Sequence, residues 1–130
     1  MDQELLIKAS FLEKQVNEIG GNLEIVNQQI SELMQFQESI KSFRTLDSKG
    51  MFSTIGKGVH VKTSLVEKEF LVEVGSGVLV KKTPEETGEV IEDQIKRLNE
   101  LKHSLSSQLD SHMFALNDLI QKIEKSQNKG

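Results

Sequence analysis

Two long heptad stretches dominate the sequence and restrict the folds open to it. In the first, residues at core positions recur at alternating spacings of four and three over roughly five heptads. These seam positions are Leu5, Ala9, Leu12, Val16, Ile19, Leu23, Val26, Ile30, Leu33, Gln37 and Ile40. The pattern predicts a helix from about Asp2 to about Arg44, which at 1.5 Å per residue is about 60 Å long. A helix of that length does not fit inside a compact globule of 130 residues.

The second heptad stretch opens with a clear helix start. In Thr83-Pro84-Glu85-Glu86, threonine is the N-cap, proline is the first helical residue and Glu86 completes a capping box. The seam that follows is Ile91, Ile95, Leu98, Lys102, Leu105, Leu109, His112, Leu116, Leu119 and Ile123. We expect this helix to span about 84–126 and the tail from Ser126 to fray.

Between the helices, the sequence at about 51–82 contains an internal repeat. Ile55-Gly56-Lys57-Gly58-Val59-His60-Val61-Lys62 recurs as Val74-Gly75-Ser76-Gly77-Val78-Leu79-Val80-Lys81. Apolar and polar residues alternate around each Gly-x-Gly, which is typical of a strand, a tight turn and a returning strand. We therefore predict four strands in two β-hairpins, at Met51–Ile55, Val59–Leu65, Glu69–Val74 and Val78–Lys82. Asp47 to Gly50 is predicted to be a turn.

The hairpins expose unpaired strand edges, and one face of each is apolar. Such edges invite pairing with another chain, and an isolated hairpin is only marginally stable. We predict that other subunits complete this region, which is therefore an assembly surface. The predicted assembly residues are Ile55, Val59, Val61, Phe70, Val72, Val74, Val78 and Val80.

Compact hairpins return the chain in the opposite direction, so the two helices are predicted to pair antiparallel. Core residues then meet in pairs such as Ile40 with Ile91 and Leu23 with Leu109. The predicted fold class is α+β, with a long antiparallel coiled coil and two central hairpins in one domain, residues 1–130. The pair Gly20-Gly21 lies off the seam, so we expect local softness there and no break in the helix.

Composition excludes several classes of function. Charged residues make up 28% and aromatic residues 5%, a balance that suits long helices. Cysteine is absent, the net charge is −4, and lysines and arginines form no stripe, so disulfides and nucleic acid are not expected. No segment approaches a membrane span or signal peptide, which favours a cytoplasmic protein. The histidines share no ligand spacing and no nucleophile lies beside a base, so no enzyme activity, cofactor or metal is expected.

Several apolar residues lie off the seam or at its border, mostly in the half of the helix pair remote from the hairpins. They are normal scattered surface residues on one interpretation, and an exposed end that holds other proteins on the other. The residues off the seam are Ile7, Phe11, Ile25 and Phe114, and those at its border are Leu6 and Ile120.

The order of a heptad helix, two hairpins with repeated Gly-x-Gly-Val-x-Val-Lys and a second helix opened by Thr-Pro-Glu-Glu resembles the alpha-class subunit of prefoldin. The resemblance implies a hexamer with two alpha and four beta prefoldin subunits and a double β-barrel. It implies that the ends of the coiled coils hold unfolded protein clients, without ATP, for transfer to a group II chaperonin. Carried onto this sequence, with the off-seam Phe114, it points to the candidate client-binding residues, here called the terminal apolar set: Leu5, Leu6, Ile7, Phe11, Phe114, Ile120 and Ile123. A structural coiled coil or a filament-forming prefoldin-like protein is the alternative.

Overall fold

The computed structural model describes residues 3–44 and 50–128. Helix α1 spans Gln3–Arg44 and helix α2 spans Pro84–Asn128. Between them lie β1 (Met51–Gly56), β2 (Val59–Thr63), β3 (Phe70–Gly75) and β4 (Val78–Lys82). The predicted fold class and element order are therefore confirmed for the single chain.

Several predicted boundaries differ from the structure. Strands β1 and β3 each end one residue later than predicted, at Gly56 and Gly75. Strand β2 ends at Thr63, short of Leu65, because pairing with β1 ends where Thr63 lies opposite Met51. Strand β3 begins at Phe70, one residue later than predicted. The prediction of fraying from Ser126 is wrong as far as Asn128, since α2 continues to that residue. Most of the turn predicted at 47–50 lies outside the described residues.

Contacts divide the chain into two compact units. The first, here the helical unit, joins the described parts of Met1–Ser31 and Lys96–Gly130. The second, here the hairpin unit, is Glu32–Ile95 and contains both hairpins with the adjoining ends of the helices. The helical unit thus joins the earlier part of α1 with the later part of α2, and the hairpin unit contains the end of α1 and the start of α2.

Burial along the helices follows the predicted seam. Every seam position of α1 is buried or partly buried, and the least exposed are Val26, Ile30 and Ile40. The seam of α2 is equally well covered, with one correction: Lys102 is exposed. A lysine can occupy the border of a core because its flexible stem carries the ammonium group out to water.

Polar contacts hold the helix ends in the hairpin unit. The backbone N–H of Glu86 donates to Thr83 Oγ1 at 3.1 Å, and the Thr83 N–H donates to Glu86 Oε1 at 3.4 Å, so the capping box is formed. The Arg44 side chain pairs with Glu85 at 3.5 Å, which joins the end of α1 to the start of α2. Lys68 Nζ donates to the Arg44 carbonyl at 3.1 Å.

The two hairpins repeat one geometry. The pair Met51↔Thr63 at the open end of the first corresponds to Phe70↔Lys82 in the second, and each has an irregularity one residue before its turn. Lys57 and Ser76, the middle residues of the Gly-x-Gly motifs, have φ of 49° and 51°, and the glycines that follow are also positive. Positive φ at both central residues is what a type I′ hairpin turn requires.

Candidate functional site

The apolar faces of the hairpins are largely uncovered in the single chain. Of the predicted assembly residues, Phe70 and Val72 are partly buried and the other six are exposed: Ile55, Val59, Val61, Val74, Val78 and Val80. Direct pairing of Val72 with Val80 places both on one face of the second hairpin. A row of exposed β-branched residues on a strand pair is the surface that a further strand or sheet covers.

The chain covers part of the second hairpin with its own helix. The Phe43 and Phe70 rings lie 4.8 Å apart at an interplanar angle of 52°, a favourable tilted arrangement. Beside them is an apolar groove of about 650 Å³, walled by Phe36, Ile40 and Phe43 on α1 and by residues 69–73 of the β3 segment. Successive residues of a strand point to opposite faces. A groove lined by consecutive residues therefore runs along the edge of the strand and is not confined to one face.

Both sheets are open. The strands β1 and β2 form one two-stranded sheet, and β3 and β4 form another. Each strand therefore pairs on one side only within the described part of the chain. Unpaired edges beside exposed apolar faces are a template for association with further chains.

The second apolar surface is the terminal apolar set, all of which belongs to the helical unit. Ile7, Phe11 and Phe114 have exposed fractions of 69%, 60% and 79%, and Leu6 and Ile120 are exposed to a lesser degree. Leu5 and Ile123 are partly buried, as expected of seam positions. The set therefore contains five exposed residues and two that help to close the seam beneath them.

Other exposed apolar residues were absent from the predicted sites. On α1 these are Ile25, Met34 and Phe36. On the hairpins Phe52, Leu71 and Leu79 are also exposed, as is Val66 in the segment that connects them. The alternation of the strands placed Leu71 and Leu79 on the second face. The position of Phe36 beside the β3 groove has no signal in the heptad pattern, because it depends on where the hairpin packs.

Polar chemistry contributes little to either surface. His60 Nδ1 lies 3.1 Å from Thr54 Oγ1 on the opposite strand, and His112 Nδ1 lies 2.7 Å from the Gln108 carbonyl one turn back. Among residues 3–44 and 50–128, no three His, Asp or Glu side chains are grouped so that they could hold a metal. Neither described helix has an apolar stretch that could span a membrane.

Comparisons with known proteins agree on one family. The family model described as Prefoldin subunit matches residues 12–129. The prefoldin subunit alpha of Methanosphaera stadtmanae is 27% identical over 69% of this chain and 65% of its own length, so the match covers just under two thirds of that relative. The prefoldin subunit alpha of Thermofilum pendens is 26% identical over 89% of this chain and 86% of its own length.

A solved structure shows the same fold. The filamentous PFD of Methanocaldococcus jannaschii, determined by cryo-EM, matches with a TM-score of 0.74 and 22% sequence identity. The match covers 93% of this chain and 99% of that chain. The arrangement of two helices and two hairpins is thus one that a known assembly-forming protein also adopts.

Proposed function

Because this chain belongs to the prefoldin family, we propose that it is the alpha-class subunit of a holdase that works without ATP. In this proposal two copies assemble with four beta-class subunits in the cytoplasm. The complex captures unfolded polypeptides and delivers them to a group II chaperonin. Family membership supports the chaperone role, and the alpha-subunit relatives support the class.

The hairpins are proposed to form the assembly surface. Six exposed apolar residues on two open sheets support this assignment. At about 25 cal/mol per Å² of apolar surface removed from water, covering such faces is a substantial driving force for association. Neighbouring hairpins in an intersubunit β-barrel would satisfy the unpaired strand edges at the same time.

The terminal apolar set is proposed to hold the client. The observation that carries this proposal is the exposure of Ile7, Phe11 and Phe114, none of which lies on the seam. These side chains contribute nothing to the line of core contacts between two helices, and an unfolded polypeptide offers apolar groups that could cover them. Such contacts need no fixed geometry, which suits clients of varied sequence.

Suppression of aggregation tests this function. The complex of the chain with a beta-class partner is mixed with a denatured client, and light scattering follows aggregation. We expect the wild-type complex to suppress scattering and a Phe11→Ser/Phe114→Ser complex of unchanged mass to lose most of that effect. Ile25→Ser is the matched control, because Ile25 is 55% exposed on α1 outside the terminal apolar set. A wild-type complex without effect on scattering would refute the proposal.

Open assembly is a second candidate function. The repeated geometry of the hairpins favours it, because two equivalent interface units on one chain allow head-to-tail contacts that continue without closing. The fold of a filamentous prefoldin is consistent with this alternative. Analytical ultracentrifugation with a beta-class partner separates the candidates. A closed hexamer independent of concentration supports the holdase, and polymers that lengthen with concentration support the filament.

A further inference from the structure

Gly20-Gly21 occupies the interior of α1 without a steric reason for glycine. The helix runs through both positions without a break, and neither glycine has the positive φ that would exclude another residue. Apart from its chain neighbours and the nearby backbone of its own helix, a Cβ atom added to either one would meet no heavy atom within 4 Å. Neither backbone conformation nor close packing therefore requires glycine at these two positions.

The pair is costly for a helix. Each glycine lowers the local helix equilibrium by roughly fivefold relative to alanine, so two in succession lower it by roughly 30-fold. Sharp helix bends occur at prolines, at glycine or serine pairs and at a few other interruptions of the hydrogen-bond ladder. A pair that neither packing nor φ requires is a site where the helix can bend.

The position of the pair connects it with the candidate client surface. Every α1 member of the terminal apolar set lies before Gly20, and Leu23, Val26 and Ile30 continue the seam after Gly21. In the predicted antiparallel pairing, Leu23 meets Leu109, and the α2 members of the set all follow that residue. His112 follows Leu109 on the α2 seam, and its Nδ1 forms a hydrogen bond with the Gln108 carbonyl of the same helix.

We propose that Gly20-Gly21 is a bending point that lets the client-holding segment of α1 reorient relative to the rest of the helix. The functional part of this inference rests on the proposed holdase activity. A segment that reorients allows several copies in one complex to contact the same client, which raises the effective concentration of the contacts.

Distance measurements between spin labels test the bending directly. The chain contains no cysteine, so labels can be introduced at exposed Lys8 and Asn27 on either side of the glycines. Exposed Lys102 and Gln121 have the same separation along α2, with no glycine between them. Either pair of backbone positions is about 28 Å apart in a straight helix. The measurements use the assembled complex, with labelled chain diluted by unlabelled chain.

We expect the Lys8–Asn27 distances to be more broadly distributed than the Lys102–Gln121 distances. Gly20→Ala/Gly21→Ala should narrow the Lys8–Asn27 distribution to the width measured for Lys102–Gln121. Amide exchange at the glycine pair should slow by roughly 30-fold in that variant. Gly88→Ala is the matched control, because Gly88 is helical and equally free of neighbours. The Gly88→Ala variant should slow amide exchange only in the helical turn around residue 88. Equal widths in the wild type, or slowed exchange without narrowing, would overturn the bending point.

Client capture tests the functional half separately. We expect the Ala-Ala complex to require about twofold more complex for half-suppression of aggregation. An unchanged requirement together with narrowed distances would overturn the link to capture. A wild-type complex that suppresses no aggregation would refute the holdase instead, and the distance comparison would still decide whether the helix bends.

Discussion

Two isoleucines five residues apart on α1 provide a matched test of the seam. Ile30 is 9% exposed at a core position, and Ile25 is 55% exposed off the seam. Both belong to the helical unit. Truncation to alanine removes the same three carbon atoms at either position, so a difference between the variants reports how the two side chains are packed.

The expected magnitudes follow from the exposed fractions. Burying three such carbons is worth about 2.4 kcal/mol, nearly all of which applies at Ile30 and less than half at Ile25. Alanine returns a few tenths of a kcal/mol through its higher helix propensity in both variants. A cavity adds to the cost at Ile30 only. We expect Ile30→Ala to cost about 2–3 kcal/mol and Ile25→Ala about 0.5–1 kcal/mol.

Urea unfolding of the assembled complex, at one fixed protomer concentration, measures both costs. Far-ultraviolet circular dichroism is the appropriate signal, because the chain has no tryptophan or tyrosine whose fluorescence could be followed. Equal destabilisation by the two variants, or a larger loss from Ile25→Ala, would refute the assignment of the core to the seam.

Three further predictions concern the helix cap, the turns and the hairpin face. Thr83→Ala should lower the free energy of unfolding in urea by about 1 kcal/mol, because it removes the Oγ1 acceptor for the Glu86 N–H. Thr83→Ser keeps that acceptor and should retain most of the stability. Equal losses from the two variants would contradict this. Gly58→Ala should destabilise by about 1 kcal/mol because φ there is +79°, and a gain in thermal stability would be the contrary result. Val59→Asp should reduce the mass of the complex in native mass spectrometry, because an exposed apolar residue on the proposed barrel face becomes charged; an intact hexamer would exclude that residue from the interface.

Local patterns account for most of the fold. The four-three spacing identified the buried side of both helices, since a heptad repeat fixes which residues face a partner helix whatever follows elsewhere. The Thr83 cap and the Gly-x-Gly repeats fixed the start of α2 and the two turns for similarly local reasons. Lys102 was misplaced because spacing alone cannot distinguish a core residue from one whose stem lies at the edge of the core.

Features that depend on packing between elements were not predictable. The contact between Phe43 and Phe70 joins a helix end to a strand far along the chain, and no periodicity relates the two. The partial burial of Val72 follows from the same packing. The extent of exposure at Phe114 also needed the structure, although its position off the seam was evident from the sequence. The irregular pairing beside the turns was not predicted, because alternation suggests regular pairing.

The claim that the exposed terminal residues hold the client is tested most directly by site-specific photo-crosslinking in the assembled complex. A photoreactive residue replaces Phe11, Phe114 or, as the control on the hairpins, exposed Leu71. With a denatured client present, we predict strong crosslinks from Phe11 and Phe114 and few from Leu71. Crosslinks confined to Leu71, or equal from all three positions, would contradict the account.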